Sequence, residues 1–426
     1  MMSGGLALLA ALAFPGDAGE VLARASARFL DATRRLPNYT CVQTVDRKYF
    51  RPSKPRFPVA SCEEMIAGKQ RNLRLEATDR LRLEVKVSDG VEIASWPGAS
   101  RFESRSVVEL IGGGPFGTGP FGTLLWDIFA SGGSGFQFTG EERADGGALL
   151  KYGFQVARES SHSYFQAGRD WIAAGYQGAV WIDPVSLDPR RLSVRTVELP
   201  EASEGCQVTT AVEYARLAIG TGDFLVPLQS TLQILMRDGG ETQSVTAYSC
   251  CREYHAESSI RFEEAQEHLT RQRTAAAVPL PAGLTVRLAF AQPVETDTAA
   301  AGDVVLATVR EPVREKRSNK VLVPAGATVR GRIVQMQHWV NRPGYFLIAI
   351  LLESLESDGA SAPFYASRLD DSSSVVWLPW WGKALTVSPP AQAFNVSAFV
   401  FPSSKSRYTV PPGYASRWVT VEPPGR

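Results

Sequence analysis

The chain has almost no excess of either charge: 45 Lys and Arg stand against 44 Asp and Glu, a formal +1. A nucleic-acid-binding domain normally carries a basic surplus to neutralise phosphates, so nucleic acid is excluded as a partner class. Residues that build metal and nucleophile sites are also sparse. The four histidines, His162, His255, His268 and His338, are scattered. None of the five cysteines forms a Cys-x-x-Cys pair, and no histidine lies at zinc-finger spacing, which argues against a structural zinc. There is no Gly-x-Ser-x-Gly elbow, phosphate loop, Gly-x-Gly-x-x-Gly fingerprint or His-Glu-x-x-His. The phrase starting at Gly112-Gly-Gly-Pro has glycines but no lysine, and its prolines remove donors that a phosphate would need. No catalytic residue, metal or cofactor is expected, and a non-enzyme is the preferred class. Long apolar runs are missing too. Beyond the N-terminus the longest, Tyr345 to Leu352, fits a buried strand and not a bilayer span, so the mature chain should lack a transmembrane segment.

What is present is the composition of a globular protein, 44% hydrophobic and 10% aromatic over 426 residues, enough for two or three domains. Residues 6–14 form a short apolar run followed by Pro15-Gly16-Asp17-Ala18, with small residues where a signal peptidase reads. Residues 1–18 are therefore expected to be a signal peptide, and the protein periplasmic or secreted. In that compartment cysteines pair by default. A Cys41–Cys62 bridge is favoured, with Cys206 meeting one of the vicinal pair Cys250 and Cys251, and one thiol left over.

Glu20 to Leu36 repeats apolar residues near the 3.6 period and Pro37 ends it, which predicts an amphipathic helix. The period then changes. Leu81, Leu83, Val85 and Val87 alternate with charges, the mark of an antiparallel sheet wet on one side. Hairpin signals recur at Asp89-Gly90, Asp145-Gly146-Gly147, Gly220-Thr221-Gly222-Asp223 and Asp238-Gly239-Gly240, which predicts a long meander. Ser104–Ile111 and Phe121–Ser131 interrupt it as expected helices, joined by a Gly- and Pro-rich hinge at 112–121. Small and Pro-containing sequence near 274–281 follows a charged helical stretch. It suggests a half-barrel domain at 19–262, a linker at 263–279 and a second domain at 280–426. In the second, Leu280-Pro-Ala-Gly-Leu-Thr-Val-Arg echoes Val323-Pro-Ala-Gly-Ala-Thr-Val-Arg, each Pro-Ala-Gly turn launching a strand of a small β-barrel or sandwich.

Four phrases carry a family resemblance. They are the helix running into Asn38-Tyr-Thr-Cys-Val-Gln-Thr44, Asp79-Arg-Leu-Arg-Leu-Glu84, Asp89-Gly90 to Trp96-Pro97, and Val180-Trp-Ile-Asp-Pro184 followed by Arg191-Leu192. Their order over about residues 20–260 resembles the periplasmic lipoprotein-carrier superfamily, the LolA/LppX-like fold. The resemblance implies a mainly β (α+β) class, a curved antiparallel half-barrel capped by helices, with an apolar hollow that holds acyl chains or senses lipid. Residues 275–422, with Gln292-Pro293, Ala301-Gly302-Asp303 and the two Pro-Ala-Gly turns, faintly resemble periplasmic β-barrels of the conjugation-apparatus type, which implies an envelope protein partner.

Three clusters are candidate sites. Tyr152 and Phe154 share a strand face with Leu150 and Val156, and the helical insert offers Phe116, Phe121, Trp126 and Phe129 as its apolar cover. Closed packing is one reading of this cluster; a hollow for an apolar or lipid-like ligand, uncovered by the hinge, is the other. Glu253, His255 and Glu257 would share one strand face and could hold a divalent ion, although a solvated surface accounts for them better. Trp377-Leu-Pro-Trp-Trp381 could touch a membrane interface, a sugar or a partner, or pack over one end of the barrel. The alternatives to ligand binding are an envelope protein acting only through protein contacts, and a hydrolase whose site converges from distant residues.

Overall fold

The computed structural model describes residues 18–35, 38–54, 60–68, 72–88, 91–99, 107–111, 114–130, 135–144, 147–167, 170–197, 199, 203–254, 280–341, 344–369, 375–377, 384–386 and 395–423. The expected signal peptide up to residue 17 and the linker at 263–279 lie outside the described residues, as do His255, Glu257 and residues 378–381 of the tryptophan cluster.

Helix α1 (Ala18–Arg34) buries Val21, Ala25 and Phe29, one turn apart, and stops ahead of Pro37. The strands that follow are β1 (Tyr39–Pro52), β2 (Leu73–Ser88), β3 (Val91–Ser95), β4 (Gln137–Ala144), β5 (Gly147–Val156), β6 (Tyr164–Ala167), β7 (Asp170–Ala173), β8 (Tyr176–Ile182), β9 (Pro189–Thr196), β10 (Gly205–Ile219), β11 (Gly222–Met236) and β12 (Glu241–Glu253). Short helices α2 (Cys62–Ile66), α3 (Val107–Ile111) and α4 (Thr123–Ala130) sit in the connections. Among the described residues strands β6 and β7 pair only with each other. The others form an antiparallel sheet in the order β4–β5–β8–β9–β10–β11–β12–β1–β2–β3. The meander is therefore as expected, except that the first strand closes it by inserting between β12 and β2.

The second half continues with β13 (Thr285–Phe290), β14 (Val294–Glu295), β15 (Val304–Val309), β16 (Val313–Arg314), β17 (Val321–Val323), β18 (Thr328–Trp339), β19 (Tyr345–Ser357), β20 (Ala360–Pro363), β21 (Ala366–Arg368), β22 (Val375–Trp377), β23 (Ala384–Thr386), β24 (Val396–Pro402), β25 (Thr409–Val410) and β26 (Ala415–Thr420). Both Pro-Ala-Gly turns place glycine at a left-handed φ, +83° at Gly283 and +88° at Gly326, the conformation that releases the following strand. The main ladder runs β24–β19–β18–β15–β13–β26–β21. Its two ends meet through side chains, not through a ladder: Asn395 Oδ1 accepts from Ala366 N at 2.7 Å, and Ser397 Oγ accepts from Arg368 N at 3.0 Å. The fold is mainly β, a curved antiparallel half-barrel capped by helices, and the sheet is not closed into a full barrel.

The halves share this sheet. The end of β18 pairs with β2, Gln337 opposite Asp79 and Trp339 opposite Ala77. Further up β2, Ala301 N donates to Arg80 O at 2.9 Å, and Arg82 N to Ala301 O at 2.7 Å. A Cβ on Gly302 would lie 2.0 Å from Arg82 O, so only glycine allows that approach. Buried Arg332 completes the junction, donating to Gly302 O at 2.7 Å, Pro97 O at 3.0 Å and Glu353 Oε1 at 2.6 Å.

Neither the expected Cys41–Cys62 bridge nor the expected bond from Cys206 to the vicinal pair is formed. Cys41 bonds Cys251, and Cys62 bonds Cys206. The reason is the length of β1. Cys41 lies near its start and Cys62 beyond its end, about 35 Å of extended chain apart at ~3.3 Å per residue. Instead the register shift between Thr40 and Val42 sets both Cys250 and Cys251 opposite Cys41. Cys251 takes the bond, and Cys250, exposed and with φ 51°, stays a free thiol.

Candidate functional site

Side chains on one face of a strand alternate with those on the other, so cross-strand register decides which residues share a surface. On the inner face of the N-terminal sheet one row runs Gln337–Asp79–Arg47–Ser244–Leu232–Thr210–Val194. The neighbouring row runs Trp339–Ala77–Tyr49–Thr242–Ile234–Val208, and on its other side lies Leu81–Val45–Thr246–Ser230. All of these residues line one cavity of about 890 Å³. Its floor is thus seven strands wide, from β18 of the second half to β9. Its roof is the Gly- and Pro-rich segment 114–120 with the start of α4, and exposed His162, Tyr164 and Trp171 line it on one side.

The floor is divided. Toward β11, β10 and β9 it is mostly apolar, with Leu232, Ile234, Val208 and Val194. Toward β2, β1 and β12 it is polar. Arg47 donates to Asp79 through Nε–Oδ1 at 2.6 Å and Nη2–Oδ2 at 2.8 Å, and the Tyr49 hydroxyl donates to Oδ2 at 3.0 Å. Both charged side chains are buried. Burial pushes the Arg47 pKa down, but the Asp79 carboxylate and the Tyr49 hydroxyl together outweigh it and raise the pKa overall. Arg47 also donates to Pro115 O at 3.2 Å, tying floor to roof, and a Cβ on Gly114 would sit 2.6 Å from Nη1. On the same row Ser244 is 3% exposed, and its hydroxyl has no hydrogen-bond partner among the described residues.

Two carboxylates fasten the roof. Glu92 on β3 accepts from Gly119 N at 3.0 Å and Phe121 N at 3.1 Å. Burial pushes its carboxyl up to about 7 against the pull of those two N–H groups. Asp127, buried in the otherwise apolar α4, accepts from the Tyr176 hydroxyl at 2.5 Å and lies 2.6 Å from His162 Nδ1. Burial first, then Asp127, holds the Tyr176 hydroxyl well above the usual phenol range.

The six aromatic candidates separate. Phe116 lines the cavity. Phe129, Tyr152 and Phe154 are buried with α1 and α4 in a packed core that Trp126 abuts, and Phe121 packs between Tyr39 and Tyr248 in another. None of these five lies among the cavity's lining residues. The space is one region along the sheet from where aromatic content pointed, because α1 and α4 fill the end near β5. A sequence signal for its position existed in β12, where Ser244 and Thr246 point inward and Val245 outward, 42% exposed. Among the described residues no group of His, Cys, Asp and Glu is placed to hold a metal ion, and no helix is long and apolar enough to cross a membrane.

No family model matches the chain, and no curated protein matches it. Two solved structures are similar to it in part. A DUF1329 family protein from Desulfovibrio piger shows a TM-score of 0.28 and 10% identity, over 57% of this chain and 97% of that one. A domain from Vibrio parahaemolyticus, with the provisional description outer membrane lipoprotein-sorting protein, shows a TM-score of 0.27 and 10% identity, over 58% of this chain and 96% of its own.

Proposed function

We propose that the protein is an exported, non-enzymatic envelope protein that holds an apolar or lipid-like molecule in the cavity of its half-barrel. In this reading residues 19–262 form the ligand-binding unit and residues 280–426 a unit that docks an envelope protein partner. The single observation that carries it is the cavity itself, about 890 Å³ bounded by a pinned roof and a floor with an apolar half. That size lies in the range of small-molecule sites, and each methylene moved from water onto such a wall contributes about 0.8 kcal/mol before ordering costs. Two disulfides support the oxidising compartment that export would supply.

Titration of the gently purified protein with a fluorescent fatty acid, alongside native mass spectrometry, tests this. Saturable one-to-one binding displaced by unlabelled lipid is expected; an empty protein that binds none would overturn it. Release of free acid when a fatty-acid ester is added in place of the acid would favour hydrolysis instead, with His162, oriented by Asp127, as the base.

A further inference from the structure

We infer that Ser244 reads a carbonyl oxygen at the head of the ligand's apolar chain, so that the cavity selects acyl esters or amides over alkyl chains of the same length. This rests on the ligand-binding reading above and adds the chemistry of the bound molecule to it. Ser244 is 3% exposed and faces the cavity, yet its hydroxyl has no hydrogen-bond partner among the described residues. Two other hydroxyls of the same wall have partners: Ser230 pairs with the Tyr248 hydroxyl at 3.0 Å, and Thr196 accepts from Val208 N at 3.0 Å. A buried hydroxyl left unpaired is unfavourable, and an all-carbon chain laid over it would keep it so.

The register sets the sign of the missing partner. Ser244 lies directly across from Arg47, and Asp79 lies on the far side of Arg47. Along this row the charged residue next to the serine is thus the arginine, with the carboxylate one strand further, and a group carrying negative partial charge is favoured beside Ser244. The register also sets the direction of the chain. The residue on the other side of Ser244 is Leu232, followed by Thr210 and Val194, with Ile234 and Val208 in the adjacent row. A carbonyl accepting from Ser244 Oγ would have its chain over this apolar half and its headgroup toward Arg47 and Tyr49.

Two lysophosphatidylcholines with the same headgroup and a sixteen-carbon chain, one ester-linked and one ether-linked, isolate the carbonyl. Displacement of a fluorescent fatty acid from the full chain should show the ester binding roughly three- to tenfold more tightly, the worth of one net hydrogen bond. Ser244→Ala should bring the ester down to the ether, leaving the ether's affinity where it was, and Ser244→Thr should restore the difference. Circular dichroism and thermal unfolding of each variant report whether the fold is kept. Equal binding of ester and ether by the wild type, or a preference that survives in Ser244→Ala, would overturn the inference while leaving the cavity a lipid site. Binding of neither would instead sink the reading of the cavity and this inference with it.

Discussion

The two halves of the molecule use the same antiparallel ladder and bury it differently. In the C-terminal half, every residue of β19 from Tyr345 to Ile350 is buried, so both faces of that strand are covered. Phe290, Phe346, Phe399 and Trp418 fill the interior with Val and Leu, and the space left over near them is only about 20 Å³, scarcely enough for one water molecule. The N-terminal half presents hydroxyls, a buried ion pair and a few aliphatic side chains to its inner side, and leaves about 890 Å³ open. One half spends its inward positions on packing and the other on a surface. A β layer becomes a container where inward side chains are too short or too polar to meet across it.

Truncating each wall separates these regimes. Phe399 is 1% exposed and touches the Phe290, Phe401 and Trp418 rings, so Phe399→Ala should destabilise by about 4 kcal/mol. Leu232 faces the cavity and is only half-buried, and Leu232→Ala should cost under about 1 kcal/mol because little packing is lost. Urea denaturation of both variants measures the contrast; similar losses would mean that the two interiors are packed alike.

The ion pair is the next lever. Asp79→Ala strips the bidentate partner from a buried guanidinium, and breaking such a pair from one side costs roughly 3 kcal/mol or more. The loss should be accompanied by faster proteolysis within 114–122, because Arg47 also holds Pro115 O. A variant as stable as wild type would show that the pair is ornamental, and that the polar half of the floor is solvated as well as any surface.

Much of the fold could be read from the sequence because it rests on local pattern. The 3.6 period gave α1 to within two residues at each end, the alternation Leu81 to Val87 gave the inner face of β2, and the Pro-Ala-Gly turns gave two strand starts. What could not be read depends on register between distant strands. The Cys41–Cys251 bond requires knowing that β1 returns to pair with β12 and that a bulge sets two cysteines opposite one. The cavity's position required knowing that α1 and α4 pack Phe29 and Phe129 into one core with Phe154, using up the aromatics that suggested a ligand wall. Aromatic content marks where a core closes. In this chain inward-facing Ser and Thr on β11 and β12 mark where it stays open.

The open half also has a pH dependence of its own, centred on Glu92. Among the groups that face Glu92, the hydroxyls of Tyr39, Tyr214 and Tyr248 are all held well above the usual phenol range, chiefly by burial, so they do not ionise near neutrality. Glu92 does, with its carboxyl pushed up to about 7. An acid raised in this way binds its proton more tightly folded than unfolded. Its contribution to stability is full below about pH 4.5 and is lost as pH rises through about 7. Each unit is worth about 1.4 kcal/mol, so with partial solvent screening the loss should be about 2 kcal/mol. Glu92→Gln keeps an oxygen for Gly119 N and Phe121 N but cannot ionise, so between pH 4.5 and 7.5 the unfolding free energy of the wild type, measured in urea, should fall by that amount relative to the variant. If the difference between the two stayed constant across the window, Glu92 would titrate as an ordinary solvated carboxylate.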